Sequence, residues 1–592
     1  MAFSPPAAAG PLLHLDLREA HRQVVHAALH VQPLQRQLRL SLPRWTPGSY
    51  LIREYVRHLE ALVLDQNGQH LPLRRTGVSS WEALLPSLEP LVLRYRLQAA
   101  ELTVRTAHVD GDHAFLPLAA VALLVEGERW RPHRLQLSLP AGWQAFLPLE
   151  RDPADGGDGP WWAADFDALV DSPVEAGPHP CHPFAVAGVP HRWVGWGDDL
   201  PSLDPQWLAD VEQVCLACCR LLDEPRPAAD TYLFVLHLRE QGFGGLEHDA
   251  ASVLLYGRRA LAQPDGRRRL LQLVAHEYLH QWNGRRLRPA ELTPIDYGSE
   301  AIVPTLWFVE GLTSYYDQLL PQAAGVSSEA DLLHDLGEDL SRYRLTPGRR
   351  VQSLAESSAE AWVKLYRQDA GSFNSQVSYY LKGAVLALVL DLRLREGGSA
   401  LQLVLRRLWR SHGRCRRGYQ REDLLAALAA EDPALAAQLP RWLDERDDPD
   451  LDGALATVGL RLQPETAGQW WLGCQVELDA AGGGLLLRRL DREGPAAAAG
   501  LLAGDELLAI GVDRVRRPED LERLLRVTDA TAAEAAEAKA PTLEVLCCRD
   551  GRLRRQLVQV QAPCINRWRL EADPQAGPEQ VAARQRWRTL GH

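Results

Sequence analysis

The sequence predicts a multidomain α+β protein in which a β-rich N-terminal region, a mixed central region with a helical part and a smaller C-terminal region follow one another. Three observations predict it. In residues 1 to about 190, short runs such as Leu38-Arg39-Leu40-Ser41-Leu42 and Leu91-Val92-Leu93-Arg94-Tyr95-Arg96-Leu97 alternate apolar with polar positions, the period of strands with one buried face. Between about 191 and 450 strand-like runs give way to long apolar runs of helical period. After 450 the composition changes again, toward glycine, alanine and short strand-like runs.

A chain of 592 residues, 46% hydrophobic and 24% charged, has the composition of a globular protein and the length of three or four domains. Its net charge of −12, from 65 basic and 77 acidic residues, gives no reason to expect nucleic acid. No apolar run approaches the ~18 residues that cross a bilayer, so no membrane partner is expected. The N-terminus has no basic segment followed by an apolar one, so no secretory signal is read there. The nine cysteines are odd in number and scattered, and Cys215 and Cys218 sit in an apolar helical run where buried thiols are expected. A reducing, cytoplasmic location fits this usage.

Residues 1–190 read as one β-rich domain, a sandwich. It contains Pro43-Arg44-Trp45-Thr46-Pro47-Gly48-Ser49-Tyr50-Leu51-Ile52-Arg53-Glu54-Tyr55, with a Pro-Gly turn, and it exits through Phe166-Asp167-Ala168-Leu169-Val170-Asp171-Ser172-Pro173. Interdomain packing is the preferred role for the charged residues of both stretches. In the region 191–450, strands are expected at Thr231–Leu238 and Ser252–Tyr256, flanking a glycine-rich bend, Gly242-Phe243-Gly244-Gly245-Leu246-Glu247-His248. Gly244 and Gly245 would let a substrate backbone approach closely, and Glu247 could hold a free α-ammonium or be a surface acid. Helices are expected at Leu332–Tyr343, Gln376–Arg395, Leu401–Ser411 and Arg421–Ala430. In 451–563 a short helix, a Gly504-Asp505 turn and a strand follow Glu493-Gly494-Pro495. Residues 529–540 read as a low-complexity insert, and 564–592 as a polar tail without an assigned structure.

The chemistry concentrates at His276-Glu277-Tyr278-Leu279-His280-Gln281-Trp282-Asn283, entered through the apolar run Leu270–Ala275. On a helix, residues four apart share a face, so the imidazoles of His276 and His280 converge on one point suited to zinc. Glu277 is placed to reach a water at that point without ligating the metal. Two histidines leave a catalytic zinc one ligand short, and Glu310, 30 residues beyond His280 in the helical run Trp307-Phe308-Val309-Glu310-Gly311, is the best candidate for the third. Two His, one Glu and an open position make a hydrolytic site of the thermolysin type.

Taken together, HEYLHQWN, WFVEGLTSYY, GGLEH and SYYLKGA resemble the glycyl aminopeptidase family, family sixty-one of the metallopeptidases. PRWTPGSYLIREY and FDALVDSP are similar to that family's N-terminal signatures. The resemblance implies a β-rich N-terminal domain, a thermolysin-like catalytic domain with a helical subdomain and a C-terminal PDZ domain. It implies one Zn²⁺ per chain on His276, His280 and Glu310, with Glu277 as general base. By similarity with the aminopeptidase N family, Tyr380, the tyrosine of Tyr-x-Lys-Gly-Ala, takes the oxyanion, and Tyr379 is its close alternative. Glu247 matches the amine-anchoring Glu, although His248 stands where those relatives have Asn. In the PDZ segment, Gly459, Leu460 and Leu462 look like the loop that captures a peptide C-terminus.

The expected function is a zinc aminopeptidase that acts on peptides, and the family implies small first residues such as Gly or Ala. A zinc endopeptidase would share the metal site without needing Glu247. A PDZ-based binding protein with a vestigial zinc site is the rival from another class.

Overall fold

The computed structural model describes residues 10–151, 159–479, 483–527 and 540–591. The alternating runs near the N-terminus pair into three sheets of eight, five and four strands. The eight-stranded sheet is centred on Leu12–Asp16, Val24–Val31 and Leu91–Gln98. Val25, Ala27, Leu29 and Val31 are buried on one face of the strand Val24–Val31, with less-buried residues between them, so the period-two pattern of the sequence is the period of burial. The five-stranded sheet runs Gln144–Phe146, Val174–Gly177, Ala114–Leu116, Thr106–Val109 and Ala100–Thr103 in spatial order.

The chain divides into two compact units. The first comprises Met1–Val303, Leu319–Ser327 and Gln402–Leu424. Besides the three N-terminal sheets it holds a mixed five-stranded sheet in the order Cys181–Val186, Val189–Trp196, Tyr232–Arg239, Ala251–Gly257 and Phe243–Glu247. Its three inner strands are parallel to one another. Leu102, Phe115 and Phe146 from the N-terminal sheet share a core with Val194, Leu233, Val235 and Val253 of the mixed sheet. Helix Trp207–Leu222 packs against helix Gly266–Leu279, and its Cys215, Cys218 and Cys219 are buried free thiols. The glycine-rich segment differs from the expected bend: Phe243–Glu247 is itself the edge strand, antiparallel to Ala251–Gly257.

The second unit comprises Pro304–Gln318, Ser328–Leu401 and Leu425–His592. Its long helices are Glu329–Arg344 and Tyr379–Glu396. The expected helix from Gln376 starts three residues later, because the Ser378 side chain caps it by accepting from the Leu381 N–H. The segment read as a tail is ordered. Ile565–Ala572 pairs antiparallel with Leu460–Thr466, and helix Pro578–Arg588 buries Trp587, whose indole N–H donates to the Tyr315 hydroxyl at 2.8 Å. That pairing involves the segment expected to take a peptide C-terminus, Gly459, Leu460 and Leu462. Leu460 and Leu462 are strand residues opposite Ala572 and Leu570, and the Gly459 N–H donates to the Ala456 carbonyl. A separate sheet, Cys474–Leu478, Leu485–Leu490, Glu506–Ile510, Thr542–Arg549 and Arg552–Gln559, is covered by helix Pro518–Leu525. Most of the low-complexity insert, 529–539, lies outside the described residues. Among the described residues no helix is long and apolar enough to cross a membrane.

Candidate active site

Helix Gly266–Leu279 starts where a Cβ on Gly266 would lie 2.2 Å from the Ala260 carbonyl oxygen. It ends at His280, after which tight turns take over and Gly284, at φ +106°, redirects the chain. His276 and His280 lie one turn apart, edge to face, with ring centroids 4.8 Å apart, on one face as their spacing requires. The Nδ1–H of His280 donates to the Asn283 carbonyl at 2.7 Å, which leaves Nε2 as the nitrogen able to ligate. No role was expected for Asn283, whose signal is the run HQWN. Beneath the helix, buried Tyr278 faces His191 across 2.9 Å. Nδ1 of His191 donates to the Val189 carbonyl, so its Nε2 accepts from the Tyr278 hydroxyl. Burial lowers the pKa of His191 to about 4, consistent with this neutral, accepting form.

Glu277 is buried, and its carboxylate lies where a side chain on Gly245 would be. A Cβ built on Gly245 would sit 1.9 Å from Glu277 Oε1. Gly245 is therefore required by the passage of a carboxylate over the edge strand. The guanidinium of Arg105, on the turn between Ala100–Thr103 and Thr106–Val109, donates to the Gly245 carbonyl at 3.1 Å. Gly244 is more open, with Arg105 Nη1 at 4.0 Å from its would-be Cβ.

Glu247 closes the same edge strand and is buried. Its carboxylate packs on Gly48, whose φ of +82° and lack of a side chain are both needed, since a Cβ there would lie 2.4 Å from Glu247 Oε2. This gives the Thr46-Pro47-Gly48-Ser49 segment a packing role against Glu247. The Phe166–Ser172 segment lies one residue further on. Asp171 pairs with His248 Nδ1 at 3.1 Å and with Arg285 at 2.6 Å, and it accepts from the Asp249 N–H at 2.8 Å. Arg285 also reaches Asp249 at 3.0 Å. Burial works against the Arg285 charge, but Asp171, Asp249 and Glu247 outweigh it and raise its pKa above the ordinary value. His248 is thus held by Asp171. Arg105 and Arg285 were not found by sequence reasoning, because nothing local marks a side chain that reaches across a fold, and Asp171 was expected only to serve packing.

In the second unit, Glu310 sits in a π-helical turn, Trp307–Gly311, that runs into helix Leu312–Ala323. Single π turns recur at functional sites because the extra residue re-aims a side chain. Gly311 and Gly383 are the crossing point of this turn with helix Tyr379–Glu396: a Cβ on Gly311 would lie 2.5 Å from Gly383 Cα. The two motifs Trp-x-x-Glu-Gly and Tyr-x-Lys-Gly-Ala are therefore one backbone-to-backbone contact. Lys382, between them, is buried and donates to the Arg349 carbonyl at 3.4 Å, and burial lowers its pKa to about 8. Tyr380 is half-buried, and its hydroxyl lies 2.9 Å from that of Tyr366, which is also 3.3 Å from the Tyr379 hydroxyl. Burial first and the Glu310 charge second push the Tyr380 hydroxyl well above its usual range, so it stays a proton donor. Tyr366 was not foreseen.

The structure therefore places the expected residues in two sets. His276, Glu277, His280, Gly244, Gly245 and Glu247 belong to the first unit, and Glu310 and Tyr380 belong to the second.

Residues 12–178 match the Peptidase M61 N-terminal domain, and residues 269–386 match the M61 glycyl aminopeptidase domain. The structure is similar to that of an aminopeptidase N family protein from Idiomarina loihiensis, at 28% identity, a TM-score of 0.88, and coverage of 96% of this chain and 99% of that one. An M1 zinc metallopeptidase from Deinococcus radiodurans is a more distant match, at 16% identity and a TM-score of 0.47, covering 75% of this chain and 95% of that one. No curated protein matches the sequence.

Proposed function

As the chain belongs to the M61 glycyl aminopeptidase family and is a metallopeptidase, we propose that it is a zinc-dependent aminopeptidase that removes small first residues, Gly or Ala, from peptides. His276, His280 and Glu310 would hold one zinc. Two imidazoles and a carboxylate are the donor set of catalytic zinc sites, and the Asn283 carbonyl already fixes the His280 tautomer that such ligation needs. When bound, the ion supplies positive charge that polarises the scissile carbonyl and acidifies a water. Glu277 takes the attacking water's proton and returns it to the leaving amine. Tyr380, kept protonated by its surroundings, donates to the oxyanion.

The observation that carries the exopeptidase reading is the edge strand Phe243–Glu247. Gly245 and Glu247 are two residues apart and so face the same side, about 6.7 Å along the strand. Glu277 projects over the first of them and the second is itself a carboxylate. A peptide laid antiparallel along this edge would have its ammonium at Glu247 and its first carbonyl near Glu277, with room for a single residue between. A digest of matched peptides with free and N-acetylated termini tests this: the free peptides are expected to be cleaved and the acetylated ones spared. Equal cleavage would favour the endopeptidase reading.

The C-terminal sheet is proposed as a PDZ-type module for peptide C-termini. Support comes from its edge strand Cys474–Leu478 and a cavity beside helix Pro518–Leu525 lined by Leu472, Gly473, Val476, Leu521 and Leu525. The backbone N–H groups near Gly473 would then be placed to meet the carboxylate, as an alternative to those of Gly459, Leu460 and Leu462.

A further inference from the structure

A second group of metal-ligating side chains lies within the first unit, where its five-stranded N-terminal sheet meets the mixed sheet. Glu175, on the strand Val174–Gly177, is fully buried, as are His113 and His237 (each 0%), and His179 is 9% exposed. Three imidazole nitrogens converge on this one carboxylate. His113 Nδ1 and His179 Nε2 lie 2.9 and 2.8 Å from Oε1, and His237 Nε2 lies 2.8 Å from Oε2. The residues come from separate places in the chain: the turn before Ala114–Leu116, the strand Val174–Gly177 with the residue just beyond it, and the strand Tyr232–Arg239.

We propose that His113, Glu175, His179 and His237 bind a second, structural divalent cation of the zinc class. Three observations carry this beyond a hydrogen-bonded cluster. The first is charge. A carboxylate with no exposure needs a nearby cation, and among the described residues the hydrogen-bond and ion-pair partners of Glu175 are these imidazoles, with no Lys or Arg. The second is the donor set: His113, Glu175 and His179 each offer one ligand atom, all within 4.8 Å of one another, and His237 Nε2 approaches the other carboxylate oxygen, a histidine and carboxylate set that suits zinc. Bonds of about 2.0–2.2 Å place tetrahedral ligand atoms roughly 3.3–3.6 Å apart, so the nitrogen–oxygen spacings of 2.9 and 2.8 Å would open by roughly 0.4–0.8 Å on binding. The ring centroid separations of 5.9 Å (His113–His179) and 5.5 Å (His113–His237) already leave room for an ion between the rings.

The third observation is the surroundings. Trp196 stacks on His113 at 4.3 Å and Phe115 packs edge-on against His237 at 4.9 Å, which fixes both rings. A cation here would tie the sheet that carries Glu175 to the sheet whose edge is Phe243–Glu247, and its role would be stability rather than chemistry.

The test uses the full chain, purified after growth with zinc, with metal content measured per chain. In the double variant His276→Ala/His280→Ala, which leaves the buried cluster intact, about one equivalent of zinc is expected to remain. In His179→Ala, whose side chain is at the cluster's edge, one equivalent should be lost while peptidase activity persists, and the melting temperature should become insensitive to added zinc. A metal-free but folded His276→Ala/His280→Ala protein overturns the proposal and leaves the aminopeptidase reading standing. One equivalent in both that variant and the wild type would instead sink the catalytic zinc and keep the structural one.

Discussion

The HExxH helix and the Glu175 cluster are two gatherings of histidine and glutamate in the same unit, yet they are written into the chain in opposite ways. His276, Glu277 and His280 occupy five consecutive residues, because one helical turn brings i and i+4 together without help from the rest of the fold. His113, Glu175, His179 and His237 span more than a hundred residues and meet only because three strand segments are brought side by side. Helical sites are local in sequence. Sheet sites are set by strand order, which has no short-range signature.

The largest expected effect breaks the chemistry of the first gathering. Glu277→Gln keeps the size of the side chain, and Gly245 leaves it the same space, but the amide cannot accept the water's proton. A loss of about 10²–10⁴-fold in kcat is expected, with zinc content unchanged. Near-normal turnover by a zinc-loaded variant would show that the helix carries no general base. The same substitution is not expected to move the metal bound by the Glu175 cluster, which sharpens the contrast between the two places.

The tyrosines give the next effect in size. Tyr380→Phe is expected to cost about 10²–10³-fold in kcat with little change in KM, as for removal of one oxyanion donor. Tyr366→Phe should cost less, because its hydroxyl touches Tyr380 rather than substrate, and Tyr379→Phe least, its hydroxyl being 3.3 Å from Tyr366. Steady-state kinetics on one peptide rank the three. A reversed order would move the oxyanion role to another ring.

The smallest effect concerns the support under the HExxH helix. His191 is buried and neutral, with a pKa lowered from an ordinary 6.5 to about 4. The unfolded chain therefore binds a proton at this site between those values that the folded chain does not. Stability is fully present above about pH 6.5 and is lost as pH falls toward 4, by up to ~3 kcal/mol. Denaturation midpoints of wild type and His191→Gln at pH 7 and pH 4.5 measure it. The variant is expected to lose less on acidification, and equal losses would show that this ring is not an acid-sensitive point beneath the helix.

Several motifs were legible for what they are because each rests on a short-range rule. Alternation marked the N-terminal strands, and helical spacing marked His276 and His280 as sharing a face. Other parts were read by type but not by form. The glycine-rich segment is an edge strand rather than a bend, since Gly244 and Gly245 answer to Arg105 and to the carboxylate of Glu277 passing over them. Leu460–Thr466 pairs with Ile565–Ala572, a strand in a segment whose polarity hid its order.

By itself, then, the sequence determined whatever depends on neighbours a turn or less away: the paired imidazoles, the base beside them, the apolar helix that carries them and the strand periods of the N-terminal sheets. Only the tertiary structure decided why Gly48 must lack a side chain, why Gly311 and Gly383 belong to one contact, and which histidines surround Glu175. The physical reason is the range of the forces involved. Backbone hydrogen bonding and side-chain spacing act within a few residues and leave a period in the chain. Close packing and the neutralisation of a buried charge act between whatever surfaces folding brings together, and they leave no trace in the order of the residues.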